Sequence, residues 1–214
     1  MEDKELQKIY LKHHQKGDRC GMSILKEDRG NFFKEKIGEN KKVLDIGCRD
    51  GILTEMYRCN NDVTGVDIDI EALKVAKDNL GIKTMELNLY GDWNLSNVFF
   101  DVVVAGEVLE HLYFPQKIIK KITKVLKEDG VFLGSVPNAF SLKNRLRLML
   151  GRKRGTSLED PTHINHFSYS EFRHILEKYF KDVKIYPLGN FAWADKFWPG
   201  MFSFGFLFEA RNKK

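Results

Sequence analysis

The sequence predicts an α/β chain: a seven-stranded, mostly parallel sheet with an antiparallel last strand and helices on both faces. Two observations carry this. From residue 42 onward, short β-branched runs alternate with amphipathic helical stretches, which is how a parallel sheet covered on both sides is written. Near the end of the chain two apolar runs follow each other with no helix between them, so they must pair antiparallel. A length of 214 residues with 43% hydrophobic side chains suits one such core.

The elements follow in order. The first 40 residues read as two helices, Leu6–Lys16 and Asp28–Ile37, capping the opening of the sheet. Strands are expected at Val43–Ile46, Val63–Asp67, Thr84–Leu87, Phe100–Val104 and Val131–Val136, each short and nearly all apolar, as strands buried on both faces are. A helix after Asp69 carries Leu73, Ala76 and Leu80 before Gly81. Another starts at Pro115 and carries Ile118, Ile119, Ile122, Val125 and Leu126 before Gly130. The run Ser168-Tyr-Ser-Glu171 is a capping box, in which hydroxyl and carboxylate satisfy orphan backbone donors; Phe172, Ile175, Leu176, Tyr179 and Phe180 give its helix an apolar stripe. Val183 and Ile185 mark a sixth strand. Phe202, Phe204, Phe206 and Phe208 alternate as a seventh with one aromatic face. Residues 1–214 are expected to form a single domain, with 138–166 inserted before the capping-box helix.

Composition excludes several classes. Charged residues make up 30% of the chain, beside 17 Gly and 5 Pro, so it is neither collagen-like nor disordered. No apolar run approaches the roughly 20 residues of a spanning helix, and the charged start MEDKELQKIY does not resemble a signal peptide. Cys20, Cys48 and Cys59 form an odd set without C-x-x-C spacing, which suggests neither a disulfide framework nor a thiolate zinc site. The cytoplasm is the expected compartment. The net charge of +5 is concentrated in Lys143, Arg145, Arg147, Arg152, Lys153 and Arg154, and the rest of the chain is close to balanced, so the basicity is local.

The strongest chemical signal is Val43-Leu-Asp-Ile-Gly-Cys-Arg-Asp-Gly51, a strand entering a glycine-bounded turn. Open α/β sheets bind ligands at the carboxyl ends of their strands. Gly47 can adopt angles closed to other residues, and the missing side chains at Gly47 and Gly51 would admit a ligand to the main chain. The dinucleotide fingerprint G-x-G-x-x-G does not fit, because Arg49 and Ile52 occupy its second and third glycine positions.

Asp45-Ile-Gly-Cys-Arg-Asp-Gly51 resembles the D-x-G-x-G-x-G type motif of the class I S-adenosylmethionine-dependent methyltransferases, with Arg49 in place of the middle glycine. The second strand ends Thr64-Gly-Val-Asp67-Ile68, the third Glu86-Leu-Asn88-Leu89, and the fourth runs into Glu107-Val-Leu-Glu-His-Leu112, which is similar to the family's Glu-His-Leu segment. The likeness spans roughly 42–188. It implies a Rossmann-like methyltransferase fold and S-adenosylmethionine as cofactor. It also implies that Asp67 accepts the ribose hydroxyls, that Ile68 walls the adenine, and that Asn88 stands where the family usually has Asp beside the adenine amino group. Asp45, Gly47, Cys48, Gly51, Leu89, Gly106 and Glu107 complete the implied cofactor set.

Methyl transfer from a sulfonium is a direct displacement, so the protein's main task is to align the acceptor. His111, with Glu110, is the candidate for deprotonating or positioning it. Glu107, Glu110 and His111 stand at i, i+3 and i+4, one face of a helical turn. That spacing resembles the E-x-x-E-H of ubiquinone-type O-methyltransferases and small-RNA 2′-O-methyltransferases, where the set holds a divalent metal. A further imidazole would come from His163 or His166, and His166 completes the expected metal set of Glu107, Glu110, His111 and His166.

Between Asn138 and His166, Leu142, Leu146, Met149 and Leu150 form an apolar stripe surrounded by the basic cluster. It fits a lid over the acceptor, or, through 142–154, a peripheral contact with an anionic membrane. The aromatic stretch Phe191-Ala-Trp193 to Phe197-Trp198-Pro-Gly-Met-Phe202 would wall an apolar acceptor or form a homodimer face. The insertion and ending resemble methyltransferases of surface-polysaccharide and lipid-linked sugar pathways, which implies a small-molecule or lipid-linked acceptor methylated on a hydroxyl oxygen. Nucleic acid is not the expected partner. An RNA 2′-O-methyltransferase and a non-catalytic cofactor-binding protein on the same fold are the alternatives.

Overall fold

The computed structural model describes residues 21–95 and 98–214; the expected helix Leu6–Lys16 and Cys20 lie outside them. Strand order through the sheet is β3-β2-β1-β4-β5-β7-β6. The described residues divide into two compact units, one of 21–95, 98–105 and 125–130, the other of 106–124 and 131–214.

In the first unit, β1 (Lys42–Ile46), β2 (Asp62–Asp67), β3 (Lys83–Glu86) and β4 (Phe100–Gly106, its last residue in the second unit) begin within two residues of expectation. They pair parallel, with Val43 opposite both Val63 and Val102, and Thr64 opposite Lys83. Val43, Leu44, Val66, Val103 and Val104 are buried. Each such side chain contributes about 1.5–3 kcal/mol on leaving water, which is why nearly unbroken apolar runs become central strands. Helix α1 (Lys26–Ile37) buries Phe33 and Ile37. Helix α2 (Ile70–Leu80) buries Ala72, Leu73 and Ala76. It starts where the Asp69 side chain accepts from Ala72 N and stops at Gly81, whose φ of 65° is left-handed.

In the second unit, helix α3 (Pro115–Val125, its last residue in the first unit) buries Ile118, Ile119 and Ile122. It ends sooner than its stripe suggests: Leu126 already belongs to β5 (Leu126–Pro137, its residues up to Gly130 in the first unit). Gly130 is no helix stop; a β-carbon there would lie 2.7 Å from Leu126 Cγ, so the glycine permits a close approach. Helices α4 (Leu142–Met149) and α5 (Tyr169–Glu177) follow, and the Ser168/Glu171 capping box at α5 is fully formed. Strands β6 (Phe180–Leu188) and β7 (Gly205–Lys213) pair antiparallel, and β7 pairs antiparallel with β5, placing Phe208 opposite both Gly134 and Ile185. Phe132, Phe172 and Phe208 are buried and meet edge to face at ring separations of 4.9 and 5.2 Å.

The aromatic face expected of the seventh strand is only half realised. Phe206 and Phe208 are buried, but Phe202 and Phe204 precede the strand and are exposed. The Phe202 and Ser203 amides donate to the Asp195 carboxylate, so a turn takes the donors a longer ladder would have used. No helix among the described residues is long and apolar enough to cross a membrane.

Candidate functional site

The glycine turn after β1 has three left-handed residues, Gly47 (φ 71°), Arg49 (φ 51°) and Gly51 (φ 78°). Gly47 N and Cys48 N donate to Val66 O, tying the turn to β2. Arg49, standing in a conformation that favours glycine, is held there by three contacts: its amide donates to Asp67 Oδ2 (3.0 Å), its Nε to Asp50 Oδ1 (3.2 Å) and its guanidinium to Met22 O (2.6 Å). Asp67 Oδ1 accepts from Asp69 N, so one half-buried carboxylate is oriented between the turn and the start of α2.

Several expected cofactor residues have other duties. The Asp45 carboxylate is buried and accepts from Thr54 Oγ1 (2.5 Å) and Tyr57 OH (2.7 Å), fastening the segment after the turn to β1. Burial raises its pKa to about 6, against the pull of those two hydroxyls. Gly51 makes room for α2: a β-carbon would lie 2.5 Å from Leu80 Cδ1 and 3.2 Å from Ala76 Cβ. Cys48 is buried with its sulfur against Gly65, where a β-carbon would be 2.6 Å away, and burial pushes its thiol up. Asn88 Oδ1 accepts from Tyr90 N in an Asx turn, and Leu89 O accepts from Trp93 Nε1. Ile68, Asn88 and Leu89 are half-buried. An oriented carboxylate for a vicinal diol, with apolar side chains beside it, is a donor set that fits S-adenosylmethionine.

The second unit holds a different group. Gly106 ends β4 and Glu107 follows with φ 60°, its amide donating to Ser135 O. That left-handed residue breaks the helical path, and only Leu109–His111 forms a 3-10 turn, so Glu107 does not share a helical face with Glu110 and His111. Ligand atoms of Glu110, His111 and His163 instead lie within 4.8 Å of one another. Glu110 is fully buried, its Oε1 3.8 Å from His111 Nε2, and the two imidazole rings are 4.9 Å apart. His166 is outside this group; its Nε2 is buried without a hydrogen bond, and burial, then His163, lowers its pKa.

Each of the two imidazoles is oriented by a main-chain carbonyl. His111 Nδ1 lies 3.0 Å from Thr162 O and His163 Nδ1 lies 2.8 Å from Ser157 O. A carbonyl only accepts, so both Nδ1 atoms carry a proton, and in the neutral form of each ring the lone pair falls on Nε2. The loop that supplies these carbonyls is pinned in turn: Ile164 N and Asn165 N donate to Glu110 O, and Asn165 Nδ2 to Leu112 O. The sequence offers both His163 and His166, and the expected set takes His166; the loop's path instead brings His163 beside Glu110 and His111. Sequence reading missed Tyr57 and Thr54 as partners of Asp45, which no local pattern signals.

A seven-stranded sheet in this order, with the β1 turn and the Asp67 carboxylate, is that of a class I S-adenosylmethionine-dependent methyltransferase. The family profile described as Methyltransferase domain matches residues 15–180, and the chain belongs to that family. It is similar to the ubiquinone biosynthesis O-methyltransferase of Haemophilus ducreyi, at 32% identity over 71% of this chain and 70% of that protein. The same-named protein of Actinobacillus pleuropneumoniae is 34% identical over 60% of this chain and 59% of its own length. In fold it is similar to a SAM-dependent methyltransferase of Archaeoglobus fulgidus, with a TM-score of 0.67 at 19% identity, covering 96% of this chain and 99% of that one.

Proposed function

We propose that the chain transfers a methyl group from S-adenosylmethionine to a hydroxyl oxygen of a small-molecule acceptor, with a divalent metal held by Glu110, His111 and His163. One observation carries the reading: two imidazoles, each with Nδ1 committed to a main-chain carbonyl, present Nε2 lone pairs to the neighbourhood of a buried carboxylate. Protein metal sites orient their histidines in this way. The mixed carboxylate and imidazole set suits several divalent ions, and a bound ion would lower the pKa of an acceptor hydroxyl.

The cofactor supplies an electrophilic methyl group. Asp67 accepts from its ribose hydroxyls, and Ile68 and Leu89 give its adenine an apolar surround. His111 Nε2, in the tautomer that accepts a proton, removes or orients the acceptor's proton when it does not serve the metal. The segment 138–166 recognises the acceptor, since it carries the carbonyls that set both imidazoles. The O-methyltransferase names of the Haemophilus and Actinobacillus relatives support oxygen as the atom methylated.

The test strips the protein with chelator and titrates it with manganese, magnesium and zinc, then follows labelled methyl transfer to a panel of phenols and catechols. Expected are one bound ion, lost in Glu110→Gln and His163→Ala, and transfer reduced about 10²–10⁴-fold in His111→Gln while S-adenosylhomocysteine still binds. Transfer that is unaffected by chelation and by His163→Ala would remove the metal. Transfer only to amines would remove the hydroxyl acceptor.

A further inference from the structure

The second unit turns part of its packing inside out. In the loop between β6 and β7, Asp195 is 6% exposed and Ser203 is fully buried, whereas Trp193, Phe197 and Trp198 are 67, 76 and 63% exposed. A loose segment would not hold such an arrangement, and this one is tightly held. Asp195 accepts from the amides of Gly200, Phe202 and Ser203. The buried Asn138 side chain donates to Gly200 O and Ser203 O, and Asn144 donates to Asn138 O. A knot of buried polar groups thus stands the aromatic rings in water.

The same knot carries α4. Asn138 and Asn144 bracket its start, and Leu142 N donates to Met201 O at 2.7 Å, so helix and aromatic loop adjoin. On α4 and the turn after it, Leu146, Met149 and Leu150 are also exposed, at 51, 82 and 71%. No acidic residue occurs between 141 and 158, and Lys143, Arg145, Arg152, Lys153 and Arg154 are exposed there. In the loop, Lys196 Nζ lies 4.8 Å from the centre of the Phe197 ring, so cation and ring share that surface as well.

We propose that this face, α4 with the 191–204 loop, is a docking surface for an anionic lipid bilayer, lying on it with the aromatic and aliphatic side chains in the interface and the cations against the headgroups. Aromatic rings and long aliphatic chains gain from acyl chains, and Lys and Arg gain from a negative surface. A second copy of the chain is disfavoured by charge, since a two-fold contact would set these cations against themselves. A nucleic acid would satisfy the cations and stack on the rings but offers Leu146, Met149 and Leu150 nothing. The inference concerns where the chain works, and its failure would leave the methyl-transfer reading standing.

Vesicle flotation of the full chain tests it, using phosphatidylcholine alone and phosphatidylcholine mixed with phosphatidylglycerol. Partitioning is expected on the mixed vesicles, with a blue shift of tryptophan emission. It should fall about fivefold for each of Arg152→Ala and Lys153→Ala, and weaken with added salt. The triple variant Trp193→Ser, Phe197→Ser, Trp198→Ser should lose both partitioning and blue shift, while its thermal stabilisation by S-adenosylhomocysteine shows that it still folds. Equal partitioning on neutral and mixed vesicles, or none on either, would overturn the proposal. So would an aromatic variant that floats as the wild type does but loses self-association in sedimentation, or loses binding to an oligoribonucleotide.

Discussion

At Asp45, burial and hydrogen bonding pull in opposite directions. The carboxylate is shut from water, which favours its protonated form, while Thr54 and Tyr57 donate to it and favour the charged one; burial wins, with a pKa near 6 against an ordinary value of 3.8. An acid whose pKa is raised by folding stabilises the folded chain most below its unfolded pKa, and that contribution is lost as pH rises through the folded one. Between pH 4 and 6, Asp45 therefore removes about 3 kcal/mol of stability. Asp45→Asn keeps an oxygen for the two hydroxyls and has no charge to bury. In urea titrations across that range its stability should be flatter than the wild type's, and at pH 7.5 no lower; a variant with the wild-type slope would show that another group titrates.

Two glycines of one element separate two uses of the residue. Gly51 and Gly81 both have left-handed backbones, φ 78° and 65°, and both border α2. Nothing lies within 4 Å of a β-carbon built at Gly81, so Gly81→Ala costs only the backbone strain, about 1–2 kcal/mol. At Gly51 the new carbon also runs into Leu80 and Ala76, and overpacking of this kind adds about 1–3 kcal/mol. The urea midpoint should fall in both variants and further in Gly51→Ala. Equal falls would mean that α2 moves aside without cost.

For the molecule as a whole, a ligand that binds only the folded chain raises its stability with the logarithm of its concentration relative to Kd. S-adenosylhomocysteine at about 100 times its Kd should add about 2.7 kcal/mol, several degrees of Tm for a chain of this size. Asp67→Ala removes the carboxylate oriented by the Arg49 and Asp69 amides, and its affinity should drop at least tenfold, with the Tm shift shrinking accordingly. An undiminished shift in that variant would place the ribose elsewhere.

What the sequence determined by itself is what depends on near neighbours. The Asp69 cap with its Gly81 stop, the Ser168/Glu171 box and the apolar strands from Val43 to Val104 are each written within a few residues, because hydrogen-bond partners and side-chain period are local there. Family membership was legible for a similar reason, since its motifs are ordered strand ends. Tertiary structure decided the rest. Glu107 left the expected helical face because its backbone is left-handed, and His163, not His166, lies beside Glu110 and His111 because Ser157 O and the path of a loop aim its ring. Gly51 became a packing glycine once α2 lay against it, and Phe202 stayed outside the strand because Asp195 claims its amide and that of Ser203. A side chain's direction, and so its chemistry, is set by groups that meet only when the chain has closed, and no spacing along the sequence records them.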